Sequence, residues 1–238
     1  MRILNRYYTR YGIEVKDGNG GITTYGYNIK NHMDFYYLLI GLELQDFESY
    51  LKDMDKNLSN IENELLEKDN DACNFLLADD YEYANRVKIR YPFILNNSAF
   101  VALYSLLEDT SIKLYRVAQT RLNQFVPMNK QSPQLKDYLY AIEEILDIKI
   151  TDKIKNDINN YRLIRNCIVH HRGRLKDKFK RAALKLKEKG IEIIENEKGI
   201  LINLSVCENF IKDLSDLFKL LSKSLIDKEV KLNMHNGR

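Results

Sequence analysis

A strict apolar repeat begins near residue 33 and continues to Leu65. Its apolar positions are spaced three and four residues apart, and charged residues fill the positions between them. This spacing predicts a coiled-coil-like helix roughly 45–50 Å long, because an α-helix rises about 1.5 Å per residue. We expect residues 71–90 to form a second helix that pairs with it and ends before Pro92. The apolar positions are Tyr37, Ile40, Leu44, Phe47, Leu51, Met54, Leu58, Ile61 and Leu65.

The sequence from residue 96 onwards predicts five more helices. The segment 96–125 is apolar around much of its circumference, which is typical of a central helix. Gly173 comes soon after the segment 152–171, as expected of a residue that ends a helix. Gly190 ends the basic segment 174–189. The predicted helices cover residues 96–125, 134–146, 152–171, 174–189 and 205–226.

Two short stretches predict turns between strands. The residues KDGNGG (16–21) indicate a turn, which would fit a small hairpin, and IEIIENEKGILINL (191–204) alternates around a turn at NEKG. The last helix is expected to start with a capping box formed by Ser205 and Glu208. The tail from Asp227 is expected to be frayed.

Length and composition favour a mainly α fold. The chain has 238 residues, of which only 3 are prolines and 10 are glycines, so few residues interrupt helices. We predict an antiparallel helical bundle with a long N-terminal helical hairpin and a small β-hairpin near the C-terminus. The expected organisation is an N-terminal extension (1–92), a helical domain (93–226) and a C-terminal tail (227–238).

Several classes of protein are disfavoured by what the sequence lacks. It has three widely spaced cysteines, no zinc-type cluster, no glycine-rich phosphate loop, and no motif of metalloproteases or serine hydrolases. The N-terminus has no signal-peptide pattern, and the longest apolar run, FYYLLIGLEL, is too short to cross a bilayer. We therefore expect a soluble cytoplasmic protein that requires no cofactor or metal and does not insert into a membrane.

Positive charge is concentrated between residues 151 and 190. The whole chain carries a net charge of +3, whereas this block holds thirteen basic and four acidic side chains, a net charge of +9. Such a block can attract a polyanion. The alternative is an ordinary solvated helix face.

The sequence RNCIVHH (165–171) lies inside this basic block. On a helix at about 100° per residue, Arg165, Asn166 and His170 fall on the polar face, whereas His171 falls on the apolar face. Ile158 and Val169 form an apolar ridge within the polar face, which indicates contact with another molecule. The simplest partner is a second copy of the chain, so we expect a homodimer through the 158–170 helix face.

The chemistry open to this set is limited and definite. Imidazole can give or take a proton near neutral pH, and a guanidinium can hold a phosphate through two hydrogen bonds. RNA supplies its own nucleophile, the 2′-hydroxyl. The pair Arg165 and His170 could therefore cleave RNA without a metal. The alternative is a helix end whose Arg and His side chains simply complement the helix dipole.

The sequence LIRNCIVHHRG resembles the signature of the HEPN superfamily. The residues FILNNSAFVALYSLLEDTSIKLYR (93–116) resemble its second core helix, and the resemblance covers about 93–226. It implies a bundle of four or five helices that dimerises through the motif face. The superfamily includes metal-independent endoribonucleases of toxin–antitoxin, abortive-infection and CRISPR systems.

The resemblance also implies roles for individual residues. Arg165 and His170 match the ends of the motif, and Asn166 matches its polar second position. Some related toxins carry a tyrosine, modified by an antitoxin, where this chain has Arg172, so that regulation is not expected here. Supporting roles fall to Glu108, Asp109 and His171, although an acidic residue could instead form a structural salt bridge with Arg165. The expected RNA-binding residues are Arg162, Arg172, Arg174 and Lys176.

Three functions therefore remain open from the sequence. The first is an endoribonuclease that binds RNA and acts in phage defence or growth arrest, with an antitoxin or defence protein as a further partner. The second is a non-catalytic, dimeric HEPN-like scaffold that binds RNA or protein. The third is a helical interaction protein whose long apolar repeat is the functional part.

Overall fold

The fold is mainly helical, as predicted, with two small antiparallel sheets. The computed structural model describes residues 6–9, 12–16, 22–26, 31–71, 78–128, 130–194 and 199–235. The helices are α1 (His32–Tyr36), α2 (Leu42–Asp71), α3 (Ala78–Asn85), α4 (Tyr91–Leu122), α5 (Leu135–Leu146), α6 (Asp152–His171), α7 (Asp177–Lys185) and α8 (Leu204–His235). The strands are β1 (Arg6–Thr9), β2 (Gly12–Lys16), β3 (Ile22–Gly26), β4 (Ile191–Ile194) and β5 (Gly199–Ile202).

The first sheet has the order β1-β2-β3, and both of its pairs are antiparallel. Lys16 pairs with Ile22, so β2 and β3 form the hairpin that KDGNGG predicted. Residues 17–21 themselves lie outside the described part of the chain. The sequence did not predict the third strand, β1.

The long N-terminal helix is present, and it contains a π-helical turn at Tyr37–Gly41 between α1 and α2. Asn31 caps its start, because the Asn31 side chain accepts the Met33 and Asp34 amides while the Asp34 carboxylate accepts the Asn31 amide. The apolar repeat is buried at Ile40, Leu44 and Leu51 but is partly exposed beyond Leu51. The repeat therefore meets the core only over its first half.

The predicted partner segment does return to the long helix. α3 leads into a second π-helical turn at Arg86–Arg90, and Lys88 Nζ lies 3.4 Å from Glu62 Oε1 on α2. The expected break before Pro92 is wrong, since the helical backbone continues from α3 through this π-helical turn into α4, where Pro92 is the second residue. A proline inside a helix lacks the amide of a regular hydrogen bond, and its ring crowds the carbonyl four residues earlier. The wider π-helical turn just before Pro92, in which the Tyr91 amide donates to the Arg86 carbonyl, allows the helix to continue.

Helix α4 is central, as predicted, and it packs against α5, α6 and α8. Phe100 on α4 contacts Tyr161 on α6 and Phe210 on α8, with ring centroids 5.8 Å and 5.3 Å away. The Tyr161 and Phe210 rings stack at 4.0 Å. These three rings fix α6 against the other two helices.

The boundaries of α6 match the prediction at both ends. Thr151 Oγ1 accepts the Ile154 amide at the start. At the end, Arg172 and Gly173 adopt left-handed conformations, with φ of 51° and 76°, and both donate their amides to the Cys167 carbonyl. The basic helix that follows is shorter than predicted, since α7 covers only Asp177–Lys185.

The predicted C-terminal hairpin is formed by β4 and β5, where Ile191 pairs with Ile202. Gly190 precedes it at φ 97°, and a Cβ atom there would collide with Ser205 Oγ on α8. Because α8 begins at Leu204, Ser205 lies inside its first turn, and the predicted capping box is wrong. Asn203 instead comes just before the helix, and its side chain donates to Glu192.

The prediction of a frayed tail from Asp227 is also wrong, because α8 continues to His235. Lys228 Nζ donates to the Ile145 carbonyl at 2.7 Å, and Arg121 lies 2.8 Å from Glu229. These contacts fix the last turns of α8 against α4 and the end of α5. Within the described residues, none of the helices combines the length and the apolar character needed to cross a membrane.

The part of the predicted extension from Phe35 to Leu51 contributes to the same core as the helical domain. Phe35, Tyr36 and Ile40 are buried together with the apolar residues of α4, α6 and α8. Tyr36 Oη also lies 2.8 Å from Ser215 Oγ on α8. The predicted domain boundary between residues 92 and 93 therefore stays a prediction, because residues on both sides of it share one hydrophobic core.

Candidate functional site

Helix α6 carries the motif residues, and its inner face fixes their position. Tyr161, Ile164 and Cys167 are fully buried. The Tyr161 hydroxyl donates to Asp213 Oδ2 at 2.6 Å, and Cys167 Sγ donates to the Arg174 carbonyl at 3.3 Å. These contacts fix the rotation of α6 about its own axis, and so they determine which residues lie on its opposite face.

Arg165 and Asn166 are joined directly, since Arg165 Nη1 donates to Asn166 Oδ1 at 3.1 Å. The Arg165 guanidinium lies over the Tyr104 ring of α4, 5.9 Å from its centroid. Arg165 is half-buried, and its Nε is buried without a hydrogen-bond partner among the described residues. Arg165 lies on the polar face of α6, as predicted, but α4 covers part of it.

The two histidines differ as the helical wheel predicted. His170 is exposed, whereas His171 is half-buried and its ring lies 5.2 Å from the Phe179 ring of α7. Partial burial lowers the pKa of His171, and the positive charges of Lys176 and Lys178 lower it further. His171 therefore belongs to the junction between α6 and α7, on the other side from Arg165.

A groove of about 650 Å³ runs between α4, α5 and α6. One end is lined by Tyr104, Glu108, Arg162, Arg165 and Asn166, which we call the arginine end. The other end holds the ion pair of Glu143 and Lys155, with 2.7 Å between Oε2 and Nζ. The structure thus brings Arg165 and Asn166 to the groove, whereas His170 lies one turn farther along α6 and does not line it.

The two acidic candidates face different surroundings. Glu108 lines the arginine end of the groove. Asp109 is exposed outside the groove and pairs with Lys113 at 2.7 Å. Among the described residues, no carboxylate forms an ion pair with Arg165, so the alternative of a structural salt bridge is not formed.

Tyr104 is the site residue that the sequence did not reveal. It is 1% exposed, and its hydroxyl has no hydrogen-bond partner in the described part of the chain. Burial raises the pKa of Tyr104, and the Glu108 carboxylate raises it further, against the opposing effect of Arg162 and Arg165. The hydroxyl therefore stays protonated and can donate. The available signal was the spacing of Tyr104 and Glu108, four residues apart on one helix.

The predicted RNA-binding residues occupy two places. Arg162 lines the groove and donates to Asn159 Oδ1 at 3.1 Å and 3.3 Å. The others, Arg172, Arg174 and Lys176, are exposed in the connection from α6 to α7, beyond the histidines.

Lys189 belongs to the basic block, but its charge is compensated by two carboxylates. Lys189 pairs with Asp157 at 3.1 Å and makes a shorter contact with Asp213. Burial lowers the pKa of Lys189, but the hydrogen bonds that its ammonium donates to the Asp213 and Asp157 carboxylates outweigh burial and raise it overall. This lysine therefore stabilises the packing of α6 on α8 and adds little to any attraction of a polyanion.

No cluster of three or more histidine, cysteine, aspartate or glutamate side chains that could hold a metal occurs among the described residues. No protein-family model, curated protein or solved structure matches the chain. What the fold and the site define is therefore a mainly helical protein with a basic groove beside an Arg–Asn pair.

Proposed function

We propose that the protein is a metal-independent endoribonuclease of the HEPN type, acting in phage defence or growth arrest in the cytoplasm. The observation that carries the proposal is the Arg165–Asn166 pair at the edge of a basic groove, with His170 on the next turn of the same helix. The resemblance of this motif to the HEPN signature supports it. A partner of the antitoxin or defence type belongs to the same proposal.

The proposed reaction is an internal transesterification. The 2′-oxygen of the RNA attacks the adjacent phosphorus, and the 5′-oxygen of the next nucleotide leaves with a proton. His170 takes the proton that the 2′-hydroxyl loses and delivers it to the 5′-oxygen as the P–O5′ bond breaks. Arg165 stabilises the charge that grows on the phosphate, and Asn166 orients the guanidinium. The products are a 2′,3′-cyclic phosphate and a 5′-hydroxyl.

A second copy of the chain would complete the site. In one chain His170 lies outside the groove, so a two-fold arrangement through the 158–170 face would bring two motif sets into one cleft. Val169 supports this interface, since it is an apolar side chain with 46% exposure beside His170. Ile158 contributes less than the sequence suggested, because it is half-buried in the wall of the groove.

The alternative is a non-catalytic, dimeric HEPN-like scaffold that binds RNA or protein. One observation favours it: the Arg165 side chain is already held by Asn166 and Tyr104 in the single chain. An arginine held in this way can serve to shape the groove without contacting a reacting phosphate. The two functions share the dimer and differ only in whether His170 transfers a proton.

Cleavage of a single-stranded RNA by purified variants tests the proposal. His170→Ala should reduce the rate about 10²–10⁴-fold, the usual contribution of a general acid or base, with a stability change within about 0.5 kcal/mol for an exposed residue. Arg165→Lys should also lose most activity, because an ammonium cannot form the two parallel hydrogen bonds of a guanidinium. The wild-type activity should persist in EDTA.

The neighbouring histidine provides the matched control. His171→Ala should retain cleavage once it is folded and should cost about 1 kcal/mol of stability, since it packs on Phe179. Equal cleavage by the wild type and His170→Ala would reject catalysis and leave the scaffold. Loss of cleavage on chelation, restored by Mg²⁺, would reject the metal-free mechanism.

A further inference from the structure

We propose that the arginine end of the groove binds the phosphate group of a nucleotide, with Tyr140 providing a surface on which the base stacks. The inference goes beyond RNA cleavage, because this binding requires neither His170 nor a second chain. The ligand is a phosphorylated nucleotide, either free or as part of an RNA strand.

The charge of the groove favours an anion. Its lining contains the cationic side chains of Lys136, Lys155, Arg162 and Arg165, against the two carboxylates of Glu108 and Glu143. Glu143 is compensated by Lys155 at 2.7 Å, at the far end of the groove. The arginine end therefore presents two guanidinium groups against one carboxylate.

Two buried donors at this end lack partners. The Tyr104 hydroxyl and Arg165 Nε are both buried, and neither has a hydrogen-bond partner within the described residues. A buried donor without an acceptor is costly, whereas a phosphate oxygen can accept several hydrogen bonds at once. The raised pKa of Tyr104 keeps its hydroxyl in the donating form. Because Tyr104 and Arg165 both line the groove, an oxyanion bound there would satisfy both donors after a small shift of the two side chains.

The size and the rim of the groove fit a nucleotide better than an isolated ion. A volume of about 650 Å³ lies within the range of small-molecule sites. Tyr140 lines the groove from α5 and is 61% exposed, so its ring is free to stack on a base. Glu108 opposes a bare phosphate ion, and its carboxylate can accept a hydrogen bond from a ribose hydroxyl.

Calorimetric titration of the full-length chain tests the proposal with five probes: adenosine 5′-monophosphate (AMP), adenosine, inorganic phosphate, and an RNA octamer with or without a 5′-phosphate. The octamers are titrated into His170→Ala so that they stay intact. We expect AMP to bind at least tenfold more tightly than adenosine and than inorganic phosphate. Tighter binding of AMP than of either octamer identifies a free nucleotide as the ligand, and the reverse order identifies RNA. Failure of AMP and both octamers to bind at millimolar concentration overturns the proposal.

Single-residue variants distinguish AMP binding in the groove from nonspecific attraction by positive charge. Tyr104→Phe and Arg162→Gln should each weaken AMP binding about tenfold, since each removes a hydrogen bond to a charged group. Arg116→Gln is the matched control, because Arg116 is an exposed arginine of α4 that does not line the groove. Wild-type affinity in both Tyr104→Phe and Arg162→Gln overturns the proposal, as does an equal loss in Arg116→Gln.

Thermal denaturation shows whether weaker AMP binding is caused by misfolding of the variant. Without ligand, Tyr104→Phe should have a higher Tm than the wild type, because it removes an unpaired buried hydroxyl. Weaker AMP binding by a more thermostable variant supports the phosphate site, whereas weaker binding together with a lower Tm counts against it. His170→Ala should bind AMP as the wild type does, so a failure of the cleavage proposal is distinguishable from a failure of this one.

Discussion

Replacing Glu143 by alanine should lower the free energy of unfolding by about 2–4 kcal/mol. Glu143 is 8% exposed on α5, and its Oε1 accepts the amide of the fully buried Ile150 at 2.6 Å. Its Oε2 lies 2.7 Å from Lys155 Nζ on α6. One carboxylate thus joins the end of α5, the connecting segment and the first turn of α6, which together form the far end of the groove.

The magnitude follows from the two contacts taken separately. A hydrogen bond to a charged group is worth about 1.5–3 kcal/mol, and alanine would leave the Ile150 amide buried without its acceptor. The Lys155 side chain is 37% exposed, so its ion pair contributes only about 0.5–1 kcal/mol. Glu143→Gln keeps an acceptor for the amide and loses the charge, so its cost should be nearer 1 kcal/mol.

Urea denaturation measures the free energy of unfolding of three variants: Glu143→Ala, Glu143→Gln and Glu144→Ala. Glu144→Ala is the control, because Glu144 is the exposed neighbour on the same helix and should change stability by less than about 0.5 kcal/mol. The expected order of destabilisation is Glu143→Ala, then Glu143→Gln, then Glu144→Ala. If Glu143→Ala and Glu144→Ala unfold at the same urea concentration, the buried hydrogen bond to Ile150 does not have the role assigned to it.

Two further predictions concern the dimer and the pH response. Val169→Asp should shift a micromolar sample towards monomer in light scattering, because the interface would bury a carboxylate, and Leu184→Asp on α7 provides an equally exposed control. A wild-type protein that is already monomeric contradicts this interface. The lowered pKa of His171 means that the unfolded chain binds its proton more readily, so stability should fall as pH drops through about 6.5. His171→Gln should show a smaller loss of Tm between pH 7 and pH 5 than His170→Gln, and equal losses would contradict the assignment.

Local signals in the sequence were sufficient to predict the boundaries and the faces of α6. Thr151 and Gly173 mark the ends of α6, and both act through the backbone atoms next to them. The positions of His170 and His171 on opposite faces also follow from helical periodicity alone. Features of this kind depend on residues within a few positions of each other.

The errors arose where distant contacts override local signals. Pro92 should interrupt a helix, but the π-helical turn at Arg86–Arg90 comes directly before it, and the helix continues into α4. The tail from Asp227 looks polar and unsupported, yet Arg121 and the Ile145 carbonyl fix it as helix. The tail depends on partners that are distant in the sequence, and the continuation through Pro92 depends on a π-helical turn that the apolar periodicity does not predict.

The candidate site was predictable in part for the same reason. The Arg165–Asn166 pair is a local feature of one helix, and the motif spacing identified it. The depth of Arg165 and the role of Tyr104 depend on how α4 crosses α6, which periodicity does not specify. The groove with Glu143 and Lys155 at its far end is likewise a product of packing between helices.

The junction of Gly190 with Ser205 has a consequence for how such a chain can evolve. Any side chain at Gly190 would occupy the space of the Ser205 hydroxyl, and the left-handed backbone there already disfavours other residues. Residue 190 is therefore expected to stay glycine in descendants of this sequence for as long as residue 205 keeps a side chain in that space. Because this pair lies outside the groove, it records ancestry of the fold independently of whether the Arg–His motif survives.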